Sequence, residues 1–208
     1  MMHLFCVLSD SRVFKSFTAG MLAAGLLLGA GLSQVGFAQE PNLMMVSVAS
    51  EPAKAHAKNV QAKVLIDAPP SLVWQTITNY SDLKNILPGY EKSNVLKSSG
   101  ARKQLEIAMK VAPFLPTYNY HVQVQESADN YQIVMNRVSG DFKELRATYK
   151  LISQGNGSKT LLSYSLNIDP GYNMPGSQAV IKSSTERSLK ALEKHVEAAA
   201  RKSLIGQR

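Results

Sequence analysis

The chain has 208 residues, a formal net charge of +8 at pH 7 and one cysteine. Because that cysteine is Cys6, the rest of the chain excludes a disulfide framework and a cysteine-based metal site. The remaining length suits one domain with its own hydrophobic core.

Residues 1–38 are typical of a secretory signal peptide. Arg12 and Lys15 supply a positive segment, and residues 17–32 form an uncharged apolar segment that ends shortly before small residues at a cleavage site near Ala38. An uncleaved membrane anchor is the alternative, although the strongly apolar part is shorter than the ~20 residues of a spanning helix. We therefore expect an exported protein, periplasmic or secreted after cleavage.

Residues 39–58 contain two prolines and many small residues without a sustained period, which predicts a flexible leader. The apolar stretch LMMVSV within it is an alternative edge strand. The domain itself is expected over residues 59–203, with a short tail over residues 204–208.

The domain begins with a strand, NVQAKVLID, and continues into two short helices. Pro69 and Pro70 suit the first turn of a helix, where a missing N–H is tolerated. The apolar face of this helix consists of Val73, Trp74 and Ile77. A second helix, DLKNIL, is ended by Pro88 and Gly89.

From Tyr90 to Ile168 the hydrophobic period is two, which predicts six further strands of an antiparallel sheet with one covered face. The residues assigned to the covered face are Leu105, Ile107, Met109, Val111, Tyr118, Tyr120, Val122, Val124, Leu145, Ala147, Tyr149, Leu151, Leu162, Tyr164, Leu166 and Ile168. The strand over residues 131–138 allows two orientations. In one, Ile133, Met135 and Arg137 face inward; in the other, Val134, Asn136 and Val138 do.

A long helix is predicted over residues 177–202, about 39 Å long at 1.5 Å per residue. Its apolar stripe needs a covering surface, and the apolar face of the sheet is the large one that this chain offers. The turns at one end of the sheet are short and polar. The turns at the other end carry the exposed apolar side chains that we assign to a cavity rim, Phe114, Leu115, Phe142, Tyr172 and Met174.

The segment APPSLVWQTITNYSDLKNILPGYEKSNVL, followed by VSGDFKELRATYKL, TLLSYSLNIDPGYNMP and the long helix, resembles the START/polyketide-cyclase-like superfamily (SRPBCC). This superfamily includes coenzyme-Q-binding proteins, aromatic cyclases and lipid-transfer domains, and the resemblance covers residues 59–200. It implies an α+β helix-grip fold, in which a curved antiparallel sheet of about seven strands wraps around the C-terminal helix. An apolar cavity is expected between sheet and helix, and the two small helices close one side of it.

The candidate ligand-binding residues are Met109, Tyr118, Tyr120, Arg137, Tyr149, Tyr164, Ile181, Ser184 and Ser188. The inward tyrosines combine apolar rings with hydroxyls that need partners, which suits a pocket but also an ordinary sheet core. Ser184 and Ser188 interrupt the apolar stripe and leave space, unless their hydroxyls only bond the helix backbone. If Arg137 faces inward, its guanidinium would pair with an anionic or carbonyl head group of a ligand. The alternative is a solvated arginine near the end of its strand.

Catalysis has little support in the sequence. His56, His121 and His195 have no partners at metal-ligand spacing, and neither a phosphate-binding loop nor a nucleophile elbow is present. We therefore predict no catalytic residue, no metal and no cofactor.

The predicted function is a carrier or sensor that binds a lipid, quinone or isoprenoid-like molecule. The alternatives are a cyclase or hydratase-like enzyme of the same fold and a packed domain that binds a protein through its rim loops. The basic charge is scattered, which speaks against nucleic acid. It is compatible with transient contact with an anionic membrane surface or with a solvated basic surface. A monomer is expected.

Overall fold

The computed structural model describes residues 44–51, 54–172 and 175–205. The predicted signal peptide, Met174 and the last three residues of the tail lie outside the described residues. The strands are β1 (Met44–Glu51), β2 (Lys54–Ile66), β3 (Tyr90–Ser99), β4 (Arg102–Met109), β5 (Tyr118–Ser127), β6 (Gln132–Gly140), β7 (Glu144–Gln154) and β8 (Lys159–Asp169). The helices are α1 (Pro70–Thr78), α2 (Leu83–Ile86) and α3 (Ser177–Ile205).

The eight strands form one antiparallel curved sheet in the order β1-β2-β8-β7-β6-β5-β4-β3. The long helix α3 packs against it, and α1 and α2 lie between β2 and β3 in the chain. This arrangement confirms the predicted α+β helix-grip fold. The seven expected strands are present, and β1 is an eighth strand at one edge.

The prediction of a flexible leader was wrong for residues 44–51 and 54–58. Strand β1 pairs with β2 from Met44 opposite Val64 to Ser50 opposite Lys58, so the alternative of an edge strand is correct. Half-buried Met44, Val46 and Val48 alternate with exposed residues, and α3 packs against both strands. The apolar face of this short segment is thereby covered, which is why it is ordered as a strand.

The predicted inward face of the sheet is confirmed at its most buried positions. The side chains of Leu105, Val122, Val124 and Leu162 are fully buried. In β6, Ile133 is fully buried and Met135 is 8% exposed, which decides between the two orientations left open for this strand. Met135 pairs with Val124 of β5, so two buried apolar residues lie side by side.

Helix α1 follows the prediction closely, because Pro69 precedes it and Pro70 occupies its first position. Its residues Val73 and Ile77 are buried in the same core cluster as Leu192 and Val196 of α3. None of the helices in the described parts of the chain is long and apolar enough to cross a membrane. The described residues also contain no group of His, Cys, Asp or Glu side chains that could hold a metal ion.

Candidate ligand-binding cavity

An apolar cavity of about 90 Å³ lies between the N-terminal half of α3 and the inner face of the sheet. The residues that line this cavity come from the end of α2, from strands β3, β4, β7 and β8 and from α3. Its lining residues are Leu87, Tyr90, Met109, Val111, Tyr149, Tyr164, Leu166, Ile168, Ile181, Ser184, Thr185, Ser188, Leu189 and Leu192. The lining is therefore mostly aliphatic, with hydroxyl groups as its polar component.

The sequence of α3 explains why a space remains at this place. Leu189 and Leu192 are 5% and 3% exposed and fill the groove of the sheet with branched side chains. Ser188 and Ser184 lie about one and two turns before Leu192, line the cavity at this groove, and are only half-buried. Small side chains at these positions leave the opposite sheet residues uncovered, so a cavity forms.

The hydroxyl groups of the sheet side come from a cluster of partly buried tyrosines. The rings of Tyr149 and Tyr164 lie 4.7 Å apart between centroids and are tilted by 45°. Burial raises the pKa of both phenols above the ordinary value of 10.0, and other tyrosines of the cluster add to the effect. Burial likewise raises the pKa of Tyr90 and Tyr120, whose hydroxyls lie near enough to interact. These phenols are neutral at physiological pH and can donate hydrogen bonds to a ligand.

Two smaller spaces, of about 30 Å³ and about 50 Å³, adjoin the cavity. Tyr90 and Tyr149 line all three spaces, so the three lie side by side around these two residues. The smallest space is otherwise aliphatic, and the other extends toward Tyr120, Phe142 and Leu145.

Six of the predicted ligand-binding residues line the cavity, namely Met109, Tyr149, Tyr164, Ile181, Ser184 and Ser188. Tyr120 lines the adjoining space instead. Tyr118 and Arg137 line none of the three spaces. The assignment of the predicted residues to ligand binding stays a prediction.

Arg137 lies opposite buried Val122 of β5, on the inner side of the sheet, near the end of β6. Its side chain is half-buried, and its Nη2 donates a hydrogen bond of 3.0 Å to the carbonyl oxygen of Gly140. One nitrogen of the guanidinium thus bonds the last residue of its own strand, whereas its buried Nε has no hydrogen-bond partner among the described residues. Arg137 lines none of the three spaces, and its pairing with a ligand head group stays a prediction.

The assignment of Phe142 to the rim was wrong. Phe142 is 4% exposed, stacks on Tyr118 with ring centroids 5.0 Å apart and meets Tyr120 edge-on at 5.1 Å. Gly140 makes this fold-back possible, because its φ of +112° suits glycine and an added Cβ would overlap the backbone of Asn119 and Tyr120. Phe142 is a core residue because its turn folds back onto the sheet.

The other rim residues lie at the surface where they are described. Phe114 is 76% exposed, Tyr172 is 44% exposed and Leu115 is half-buried. The Tyr172 hydroxyl is 2.5 Å from that of Tyr118, and burial together with this hydrogen bond raises the pKa of Tyr118 to about 12. The rim prediction for Phe114 and Tyr172 is therefore compatible with the structure.

The loop that carries Phe114 is connected to α3 by a hydrogen bond. Arg187 donates from Nη2 to the carbonyl oxygen of Val111 over 2.9 Å, and both groups are near the surface. Val111 is also a lining residue, so this bond holds the loop and the helix together at the cavity wall.

Tyr90 and Thr185 are lining residues that the sequence analysis did not select. Tyr90 opens β3, where the pairing with β4 shifts register between Tyr90 and Lys92. Such an irregularity breaks the alternation from which an inward face is deduced. Thr185 follows Ser184 on a helix, and attention to every small polar residue of that half of α3 would have included it.

The family comparison agrees with this geometry. The model of the family described as polyketide cyclase / dehydrase and lipid transport matches residues 66–183, which is more than half of the chain. The chain belongs to this family. None of the curated proteins compared with the chain matches it.

Solved structures show the same fold at low sequence identity. The protein TTHA0849 from Thermus thermophilus has a TM-score of 0.61 and 22% identity, over 68% of this chain and 99% of that one. The ZhuI aromatase/cyclase from Streptomyces sp. R1128 has a TM-score of 0.59 and 15% identity, over 72% and 96%. A STAR-related lipid transfer protein from Xanthomonas axonopodis has a TM-score of 0.59 and 15% identity, over 74% and 93%. Likeness at this level establishes the START-like fold.

Proposed function

We propose that the protein is an exported carrier or sensor that binds an apolar small molecule in the cavity between sheet and α3. The observation that carries the proposal is the interruption of the α3 stripe by Ser184 and Ser188 at the place where the sheet presents Tyr149 and Tyr164. A chain that needed only a stable core would gain by filling this groove, since buried aliphatic groups stabilise folding. The export part of the proposal rests on the sequence of residues 1–38.

The lining favours a neutral ligand with a hydrogen-bond acceptor, such as a quinone, an isoprenoid or another lipid with a carbonyl or hydroxyl group. None of the lining residues is a Lys, Arg, His, Asp or Glu. A carboxylate or phosphate in this space would have no cation to pair with, and an unpaired buried charge is strongly unfavourable. Tyrosine hydroxyls can donate to a carbonyl oxygen without any change of charge.

The size of the cavity implies that uptake is accompanied by movement. Ligand sites for drug-sized molecules usually enclose about 300–1,000 Å³, whereas the cavity here has about 90 Å³. The half-buried N-terminal half of α3 and the loop bonded to Arg187 border the cavity and are held by few buried groups. We propose that these two segments separate to admit the ligand.

The exposed rim supports entry from an apolar environment. Exposed Phe114 adjoins half-buried Leu115 in the loop that borders the cavity, and neighbouring apolar side chains at a surface support a contact there. Transient contact of this rim with a membrane surface would let a lipid pass from bilayer to cavity without crossing water. This contact is part of the proposal.

Native mass spectrometry of the protein purified from its own cell, with organic extraction of the bound material, tests the proposal. We expect a stoichiometric neutral apolar molecule. The variant Ser184→Leu fills the cavity and should be recovered empty, whereas Ser183→Leu, on the exposed side of the same turn, should carry the molecule as the wild type does. Equal loading of both variants would contradict binding in this cavity.

A pH series with the extracted molecule adds a second test. Since no lining residue titrates between about pH 5 and pH 9, the affinity for a neutral ligand should be constant over this range.

A protein that is recovered empty and also binds no quinone, fatty acid or phospholipid would contradict the carrier proposal. That result would favour a protein partner at the rim.

The cyclase alternative would have to rest on tyrosine hydroxyls alone. General acid–base catalysis usually uses a carboxylate or imidazole with a pKa near the working pH. Among the lining residues described, the titratable groups are Tyr90, Tyr149 and Tyr164, and burial raises the pKa of each. No observation in the cavity therefore favours an enzyme over a carrier.

A further inference from the structure

The two edges of the sheet differ in how they are protected from another chain. At one edge, β3 carries exposed Lys92 and Lys97, and its pairing with β4 shifts register twice. Charged side chains and bulges of this kind prevent an edge strand from pairing with a foreign strand. The edge formed by β3 is therefore closed to strand addition.

The other edge lacks both devices over most of its length, and its charged residue, Glu51, and its register shift lie at its last position. From Met44 to Ser50, β1 contains no charged residue and no proline, and its register with β2 is regular over this stretch. In the described residues β2 is the one strand that pairs with β1, so the outer backbone N–H and C=O groups of β1 face away from the sheet. Such an edge is a template for a further strand.

The sequence of β1 matches itself in the antiparallel direction. A twofold axis at Ser47 places Val46 opposite Val48, and it places the large side chain of Met45 opposite the small one of Ala49. In this register, even-numbered residues of one strand lie opposite even-numbered residues of the other, and odd opposite odd. The inner face of the joined sheet is therefore continued by the half-buried residues Met44, Val46 and Val48. The outer face is continued by the exposed residues Met45, Ser47 and Ala49. Met45, which is 61% exposed, would be covered by the partner strand.

We propose that β1 is a docking edge for a second copy of this chain, and that two copies join their sheets through antiparallel β1 strands about Ser47. One strand edge buries less than the ~1,600 Å² of a standard interface, so the dimer is weak, with a micromolar dissociation constant. The chain is basic, and repulsion between copies is screened by salt, so association strengthens with ionic strength.

The pairing is independent of the ligand site. None of the residues that line the cavity belongs to β1 or β2. A dimer and a monomer should therefore bind the same ligand, and the outcome of the association experiment does not depend on the proposed function.

Sedimentation velocity over a concentration series tests the proposal on the protein as purified from its own cell. We expect a monomer–dimer equilibrium. Ser47→Lys and Ser47→Glu each place like charges directly opposite one another and should raise the dissociation constant roughly fivefold at low salt. Ser98→Lys, at an exposed position of β3, is the matched control and should leave the equilibrium unchanged.

An equimolar mixture of the Ser47→Lys and Ser47→Glu variants distinguishes pairing from misfolding. Opposite charges then face each other in the mixed dimer, and association should return to at least the wild-type level. A wild type that stays monomeric at all concentrations would overturn the proposal. A dimer that neither substitution weakens, or a mixture that does not recover, would also overturn it.

Discussion

The two halves of α3 lie on the same sheet but meet it in different ways. In the C-terminal half, Leu192 and Val196 are at most 3% exposed and share one core cluster with Val73 and Ile77 of α1. In the N-terminal half, Ile181, Ser184 and Ser188 are half-buried and face a cavity. The C-terminal half therefore stabilises the fold through close packing, whereas the side chains of the N-terminal half leave part of the apolar sheet surface without a packing partner. The comparison indicates that the close packing of α3 is concentrated in one half of the helix, and that the cavity of the proposed ligand lies beside the other half.

The largest expected effect comes from breaking the packed half. Val196 is fully buried, and Val196→Asp would place a carboxylate among aliphatic side chains. An unpaired buried charge is among the few changes that cost more than about 4 kcal/mol, so we expect a variant that is unfolded or nearly so at 37 °C. Urea denaturation followed by circular dichroism measures the free energy of unfolding.

The control for this variant lies two residues further along the same helix. Ala198 is exposed, so Ala198→Asp introduces the same carboxylate where water solvates it. This substitution should lower the free energy of unfolding by no more than about 1 kcal/mol, because Asp is a weaker helix former than Ala. A Val196→Asp protein that is as stable as this control would mean that the C-terminal half of α3 does not carry the packing described here.

The regular part of this fold could be predicted because strand side chains alternate between faces. The buried residues of β5 and β7 follow that rule without interruption, β4 departs from it at Ala108 and β8 at Asp169, and the serines of α3 indicated the cavity wall. Three features of the structure were not predicted by this alternation, each for a different reason. The apolar face of β1 is too short to be distinguished from a leader, a register shift follows Tyr90, and Phe142 folds back from a turn onto Tyr118. Each depends on contacts between different segments of the chain, which the periodicity of a single segment does not report.

An intermediate effect is expected from the tyrosine hydroxyls of the cavity half. Tyr149→Phe and Tyr164→Phe keep the ring and remove the hydroxyl of a residue that lines the cavity of the proposed ligand. Each should weaken binding of the extracted molecule, or of a short-chain benzoquinone as probe, by about 1 kcal/mol, roughly fivefold in dissociation constant. Isothermal titration calorimetry gives the affinity, and urea denaturation should show little change in stability.

Tyr131→Phe provides the comparison for these two variants. Tyr131 packs edge-on against Trp74 with ring centroids 5.7 Å apart and does not line the cavity. Its hydroxyl should have no influence on affinity. If all three substitutions weakened binding equally, the hydroxyls of Tyr149 and Tyr164 would have no direct role in recognising the ligand.

The smallest expected effect concerns a polar group in the packed half of α3. Glu193 is 6% exposed, and its Oε1 has no hydrogen-bond partner among the described residues. Burial, followed by the nearby carboxylate of Glu197, raises the pKa of Glu193 above its ordinary value of 4.5. A raised pKa in the folded state means that protonation favours folding. This contribution is fully present below pH 4.5 and is lost as the pH rises through the pKa of the folded state.

Glu193→Gln removes this titration while it keeps the shape of the side chain. As the pH rises above about 4.5, the free energy of unfolding of the wild type should therefore decline more steeply than that of the variant, until the pKa of the folded state is passed. Glu186→Gln, which removes a carboxylate whose side chain is 44% exposed on the same helix, should follow the wild-type profile. Parallel profiles for the wild type and Glu193→Gln would show that Glu193 is solvated in the folded protein. The packed half of α3 would then be less completely closed to water than its aliphatic residues indicate.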